Sequence, residues 1–166
     1  MDHSIPIIDK SGALLRYDGV MTDITERKEA EKALRNSEEK LRRMFSSITD
    51  GIMLTSLDNT IIEVNEALIA LHGYSNRAEL IGRSSTDLIA EMDRGRSIKN
   101  LKTALDRSYI KLQEYRLLKK DGEEFPAELS AAILRDSVGG AVGFVTIIKD
   151  ITERKQAEDQ IKHQLA

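Results

Sequence analysis

Six residues, Asp23-Ile24-Thr25-Glu26-Arg27-Lys28, recur unchanged as Asp150-Ile151-Thr152-Glu153-Arg154-Lys155, an offset of 127 positions. The same offset pairs Gly12 with Gly139, Tyr17 with Phe144, Val20 with Ile147, Ala30 with Ala157 and Glu31 with Glu158. A fixed-offset repeat means one structural unit used twice. The chain is therefore expected to hold the end of one unit (1–23), a linker (24–45), a complete unit (46–152) and the start of an exit helix (153–166), expected to be truncated.

The repeat reads as a strand-to-helix junction. Phe144-Val145-Thr146-Ile147-Ile148 ahead of it is a β-branched and aromatic run of the buried-strand type, and polar helix formers follow it. Asp150 and Glu153 have capping-box spacing, with Thr152 a competing N-cap. Either cap is worth about 1 kcal/mol. A cap alone is the plain explanation of one such motif. Two at corresponding places indicate that the rigid joint itself matters, which makes Asp23, Thr25, Asp150, Ile151 and Thr152 the candidate signal-coupling residues.

From Ile24 to Phe45, 12 of 22 residues are charged. Arg27, Leu34, Leu41 and Ile48 recur every seventh residue, and Ala30, Ser37 and Met44 lie between them, giving an a/d seam. Glu31–Arg35, Glu38–Arg42 and Glu39–Arg43 have helix-supporting i,i+4 spacing. The seam restarts at Ala157, Ile161 and Gln164. A homodimer through these flanking helices is the expected assembly.

Between the helices, turn chemistry divides the chain. Gly51–Leu57 and Ile61–Val64 read as a hairpin around Asp58-Asn59-Thr60. Asn65 caps a short helix, Glu66–Leu71, closed by His72-Gly73. Helical turns follow at Arg77–Ile81 and Thr86–Glu91. A longer helix, about Arg94–Asp106, has an apolar face of Ile98, Leu101 and Leu105. Tyr109–Lys119, the alternating run Ala127, Leu129, Ala131, Ile133, and the run from Ala141 form a three-strand meander, with turns at Lys120–Glu123 and Val138–Gly140. The fold class is α+β on an antiparallel sheet.

Composition excludes several functions. With 28 acidic and 25 basic residues the net charge of −3 gives no electrostatic case for nucleic acid or an anionic membrane. The longest apolar stretch, Ala141–Ile148, is too short and too interrupted to span a bilayer. Residues 1–9 lack a signal-peptide pattern, so a cytoplasmic chain is expected. The absence of cysteine removes disulfides, Cys-ligated metals and thiol nucleophiles. No nucleophile elbow, zinc-protease motif or P-loop is present, and the segment is read as non-catalytic.

Phe45-(x5)-Gly51-Ile52, Asn65-Glu66-Ala67, Gly73-Tyr74-Ser75, Glu79-Leu80-Ile81-Gly82, Lys120-Asp121-Gly122 and Asp150-Ile151-Thr152 together resemble the PAS sensory domain, in order and spacing. Residues 1–28 resemble the last strand and exit of a preceding PAS domain. The resemblance implies a five-stranded antiparallel sheet in order 2-1-5-4-3, covered on one face by short helices and flanked by N- and C-terminal signalling helices. It also implies a multi-domain parent, commonly a sensor histidine kinase, with neighbouring PAS and kinase domains as partners.

The family's cofactors meet obstacles. Heme usually sits on a histidine of the long helix before the meander, which here carries none, so heme is not expected. A covalent-adduct flavin needs cysteine and is excluded; a non-covalent flavin is disfavoured without Trp. The cofactor is left open. His72 is assigned a capping or surface role, and His163 is read as a solvated helix residue. Asp87, Glu91 and Asp93 form an acidic stretch without EF-hand spacing, and no metal site is assigned. Ser84, Ser85, Thr86, Tyr109 and Arg116 are the candidate ligand-pocket residues, and Asp150 is expected to pair with Lys119 or Lys120. Two readings stand. One is a sensory module with a small-molecule ligand, relaying input through the Asp-Ile-Thr joint. The other is a ligand-free dimerisation spacer whose pocket is packed shut.

Overall fold

The computed structural model describes residues 3–20 and 22–164, and the side chains of all of these except 3–6, 15–20 and 106. Met1, Asp2 and Met21 of the expected leading segment, the Tyr17 and Val20 side chains, and Leu165 and Ala166 of the exit helix lie outside this description. The chain divides into two compact units, Met1–Arg43 and Met44–Ala166.

The first unit carries an antiparallel hairpin, β1 (His3–Ile8) and β2 (Leu14–Val20). Asp9 Oδ1 closes its turn, accepting from Ser11 N at 2.8 Å and Ala13 N at 2.9 Å. Helix α1 (Thr25–Ser47) follows, entered through Asp23 Oδ1, which accepts from Thr25 N at 2.9 Å. Its ion pairs differ from those expected. Glu31 pairs with Arg27 and Glu39 with Arg35, not with the basic residues that follow. Each glutamate has an arginine one turn away on either side, and on an exposed helix the choice is worth only tenths of a kcal/mol.

The second unit is built on a five-stranded antiparallel sheet in order β4-β3-β7-β6-β5. Its strands are β3 (Gly51–Ser56), β4 (Ile61–Val64), β5 (Tyr109–Leu118), β6 (Glu124–Arg135) and β7 (Ala141–Asp150). Counted within the unit, this is the 2-1-5-4-3 order. Helices α2 (Glu66–Leu71) and α3 (Glu91–Arg107) and two 3-10 turns, Arg77–Glu79 and Ser85–Leu88, lie between β4 and β5 in the chain. They pack with Met53, Tyr115, Leu117, Phe125, Ala127 and Ile148 of the sheet into the core.

The repeat is structural as well as sequential. The β6–β7 turn copies the β1–β2 turn: Asp136 Oδ1 accepts from Val138 N and Gly140 N, and Gly139 (φ 87°) matches Gly12 (φ 85°). The pairs Ile8↔Leu14 and Arg135↔Ala141 stand 127 apart, each beside a register shift.

Asn65 ties the second unit together. Its Oδ1 accepts from Leu68 N at 3.0 Å, the expected cap, and from Ile52 N at 2.8 Å. Its Nδ2 donates toward the carbonyls of Phe45, Ile48 and Asp50. At Gly143 a Cβ would stand 2.1 Å from the Thr55 carbonyl oxygen, so β3 and β7 approach at their observed spacing because glycine is there.

Helix α3 corrects the expected face. Leu101 does face inward and lines the space under the sheet, but Ile98 and Leu105 are 39% and 43% exposed, and Ser97 and Ala104 are the buried positions. Small residues at the buried positions let the helix lie close to the sheet, with Ile98 and Leu105 at the edges of that contact. Asp150 likewise takes neither Lys119, which pairs with Glu123, nor Lys120, which pairs with Glu79.

Candidate functional site

Two features of the second unit bear on function, a cavity under the sheet and the joint at its end. The cavity measures about 40 Å³ and lies between α3 and strands β3, β7, β6 and β5. Its polar lining is His72, Ser85, Ser97, Asn100, Gln113, Tyr115 and Thr146; Met53, Leu88, Leu117 and Ile148 supply much of the apolar wall. A space of this size holds a few waters or a molecule of a few heavy atoms.

Of the expected pocket residues, Ser85 lines the cavity. Ser84 and Thr86 bond to one another, Oγ to Oγ1, at 2.7 Å. Tyr109 is exposed, and the exposed Arg116 turns to Glu124, so both lie outside the cavity. The cause is an irregularity in β5–β6 register between Ile110 and Gln113, which breaks the inside–outside alternation beyond it. Tyr115 is the residue that faces inward. Its hydroxyl accepts from Asn100 Nδ2 at 2.6 Å, and the Arg96 guanidinium lies 4.3 Å from its ring centroid.

His72 belongs to the core, not the surface. As the residue closing α2 it donates its N–H to Leu68 O, and its ring is fully buried with an edge contact to Phe125 at 5.4 Å. Nδ1 lies 2.6 Å from the Leu118 carbonyl, which can only accept, so Nδ1 carries the proton. Burial lowers the pKa of the ring, against a smaller opposing effect of the Leu118 bond. The readable signal was weak: a histidine before Gly73 is an ordinary helix closure until the sheet covers it. The Ser97, Asn100, Ala104 spacing beside Leu101 was the better clue, because small residues at helical period let a helix face pack closely.

The joint begins where β7 ends. Asp150 Oδ1 accepts from Thr152 N at 2.7 Å and from Thr152 Oγ1 at 2.6 Å, so the aspartate works through the hydroxyl residue rather than through Glu153. Ile151 is buried and donates its N–H to Pro126 O at 3.1 Å. Helix α4 (Thr152–Gln164) then leaves over β5 and β6.

Its first turn is pinned by charge. Glu114 and Glu128 are directly opposed across β5 and β6, an unfavourable like-charge pairing if left alone. Arg154 bridges them, at 2.9 Å to Glu114 and 3.1 Å to Glu128, and Lys155 reaches Glu114 at 2.6 Å. The Lys155 bond, with the two cations, holds the Glu114 carboxyl below its ordinary range. Glu114 faces outward while its neighbour Tyr115 lines the cavity, and Arg96 of α3 donates to the Glu114 carbonyl at 2.6 Å.

Comparison with known proteins agrees with this architecture. The family model described as PAS domain matches residues 49–153. Sensor protein FixL of Bradyrhizobium diazoefficiens is 30% identical over 160 residues, covering 94% of this chain and 31% of that protein. Sensor histidine kinase TmoS of Ectopseudomonas mendocina is 28% identical over 130 residues, 78% of this chain and 13% of that protein. The chain spans less than a third of the length of these curated relatives. The crystal structure of a PAS domain from Colwellia psychrerythraea superposes with a TM-score of 0.65 at 25% identity, covering 69% of this chain and 97% of that one. The chain belongs to the PAS domain family.

Proposed function

We propose that this chain is a non-catalytic, cytoplasmic sensory and signal-transmitting module of a larger signalling protein, a sensor histidine kinase. Residues 1–23 close a preceding PAS domain, 24–45 form a helical linker, 46–152 form the sensing body, and the helix from 153 carries the output. Input alters packing beneath β7, and the joint at Asp150, Ile151 and Thr152 passes it to α4. Asp23 and Thr25 do the same for the preceding unit.

The observation that carries this reading is the docking of α4. Tyr115 and Glu114 are neighbours on one strand, the first facing the cavity and the second holding Arg154 and Lys155. A shift of β5 under the cavity therefore moves the anchor of the exit helix. Packed helices respond to such shifts by discrete rotation or translation. The relatives named as sensors and kinases supply the context of the parent.

Homodimerisation through the flanking helices completes the proposal. Leu34, Leu41 and Met44 stand exposed along α1 in the a/d register of the seam, with Ile48 exposed just past its end, and a partner helix buries such a seam. Replacing Asp150 and Thr152 together by alanine in the full-length protein tests the relay. The variant is expected to fold and to lose the response of output to input. A normal response rejects the joint as transmitter.

A further inference from the structure

His72 enters the cavity wall with half of its ring chemistry unused. Nδ1 is committed to the Leu118 carbonyl, so Nε2 is an unprotonated acceptor, and no donor among the described residues reaches it although the ring is fully buried. A buried acceptor without a partner is costly, and such atoms mark places where something else bonds. Among the described residues the cavity wall contains no Asp, Glu, Lys or Arg, and His72 and Tyr115 are its titratable side chains. A carboxylate, phosphate or ammonium ligand would lose its hydration there without gaining a counter-charge. Tyr115 adds complementarity: its oxygen accepts from Asn100, which leaves its own hydrogen free to donate.

We propose that the cavity binds a short-chain alcohol, its hydroxyl donating to His72 Nε2 and its alkyl part lying against Met53, Leu88, Leu117 and Ile148. The volume of about 40 Å³ suits a compound of a few heavy atoms. This rests on the sensory reading above and gives it a ligand class.

The test is a titration of the protein with 1-propanol, read by the imidazole ¹⁵N resonances of His72. Methoxyethane, propionate and propylammonium are the controls: the first has the same number of heavy atoms and no donor, the others carry charge. Saturable binding of propanol in the millimolar range is expected, with Nε2 moving upfield as it accepts a hydrogen bond. The controls should bind about tenfold more weakly or worse. His72→Asn keeps a donor for Leu118 and removes the second nitrogen, and should cost about tenfold in affinity. If that variant does not fold, the wild-type Nε2 signal decides by itself. A non-saturating response, an unmoved Nε2 resonance, or methoxyethane binding as well as propanol overturns the proposal. Such a failure leaves the relay reading standing, because the Asp150 and Thr152 double variant tests that without any alcohol.

Discussion

Asn65 holds three pieces of chain with one amide group. Its cap on α2 could be read from the sequence; its bonds to Ile52 and to the carbonyls of Phe45, Ile48 and Asp50 depend on where the sheet brings those segments. Asn65→Ala removes a cap worth about 1 kcal/mol and strands the buried Ile52 N–H, about 1–3 kcal/mol more. The expected loss is about 2–4 kcal/mol, measured by urea unfolding. His72 gives a second prediction at this scale. Its folded pKa is lowered from 6.5, so the unfolded chain binds more protons in mildly acidic solution. Stability from this group is full above about pH 6.5 and falls as pH drops through the folded pKa. Urea unfolding at pH 7.5 and 5.5 should show that fall in the wild type and less of it in His72→Asn. Neither the burial of His72 nor its role in the cavity wall was legible, because local spacing describes the end of α2 and not the strand that covers it.

Among the elements, those bounded by turn chemistry were the legible ones. The β3–β4 hairpin, α2 and the β5–β6–β7 meander follow from glycine, Asx residues and alternation. Strand β5 was legible in extent but not in phase, since the irregularity between Ile110 and Gln113 exchanges the faces of Tyr109 and Tyr115. Helix α3 was legible only at Leu101, because the rest of its inward face is Ser97 and Ala104, which hydrophobic period does not mark. The docking of α4 could not be read at all, because its partners Glu114 and Glu128 are 40 and 26 residues away. Glu114→Gln should weaken that docking and raise amide exchange in the first turn of α4 severalfold, with β7 unchanged. Acid should act the same way. The Glu114 pKa lies below its ordinary 4.5, so docking is retained above that pH and is lost as pH falls through the folded value.

At the scale of the molecule the repeat organises everything else. The same turn, register and aspartate-to-threonine bond occur twice, 127 residues apart. The copies differ in one telling place: Ile151 is buried by its own sheet, whereas Ile24 is 41% exposed. If the α1 seam joins two copies, Leu34→Glu with Leu41→Glu should convert a dimer to a monomer in native mass spectrometry while the sheet stays folded.

Amide exchange across α4 in a Thr146→Ile variant tests the central claim most directly. Thr146 is buried on β7 and lines the cavity, so replacing its hydroxyl with the ethyl group of isoleucine alters packing beneath the final strand without touching the joint. Exchange at Thr152–Glu158 is predicted to change about threefold or more, with the β1–β2 hairpin unaffected. Exchange in α4 that stays at wild-type rates while β7 itself responds would contradict the account.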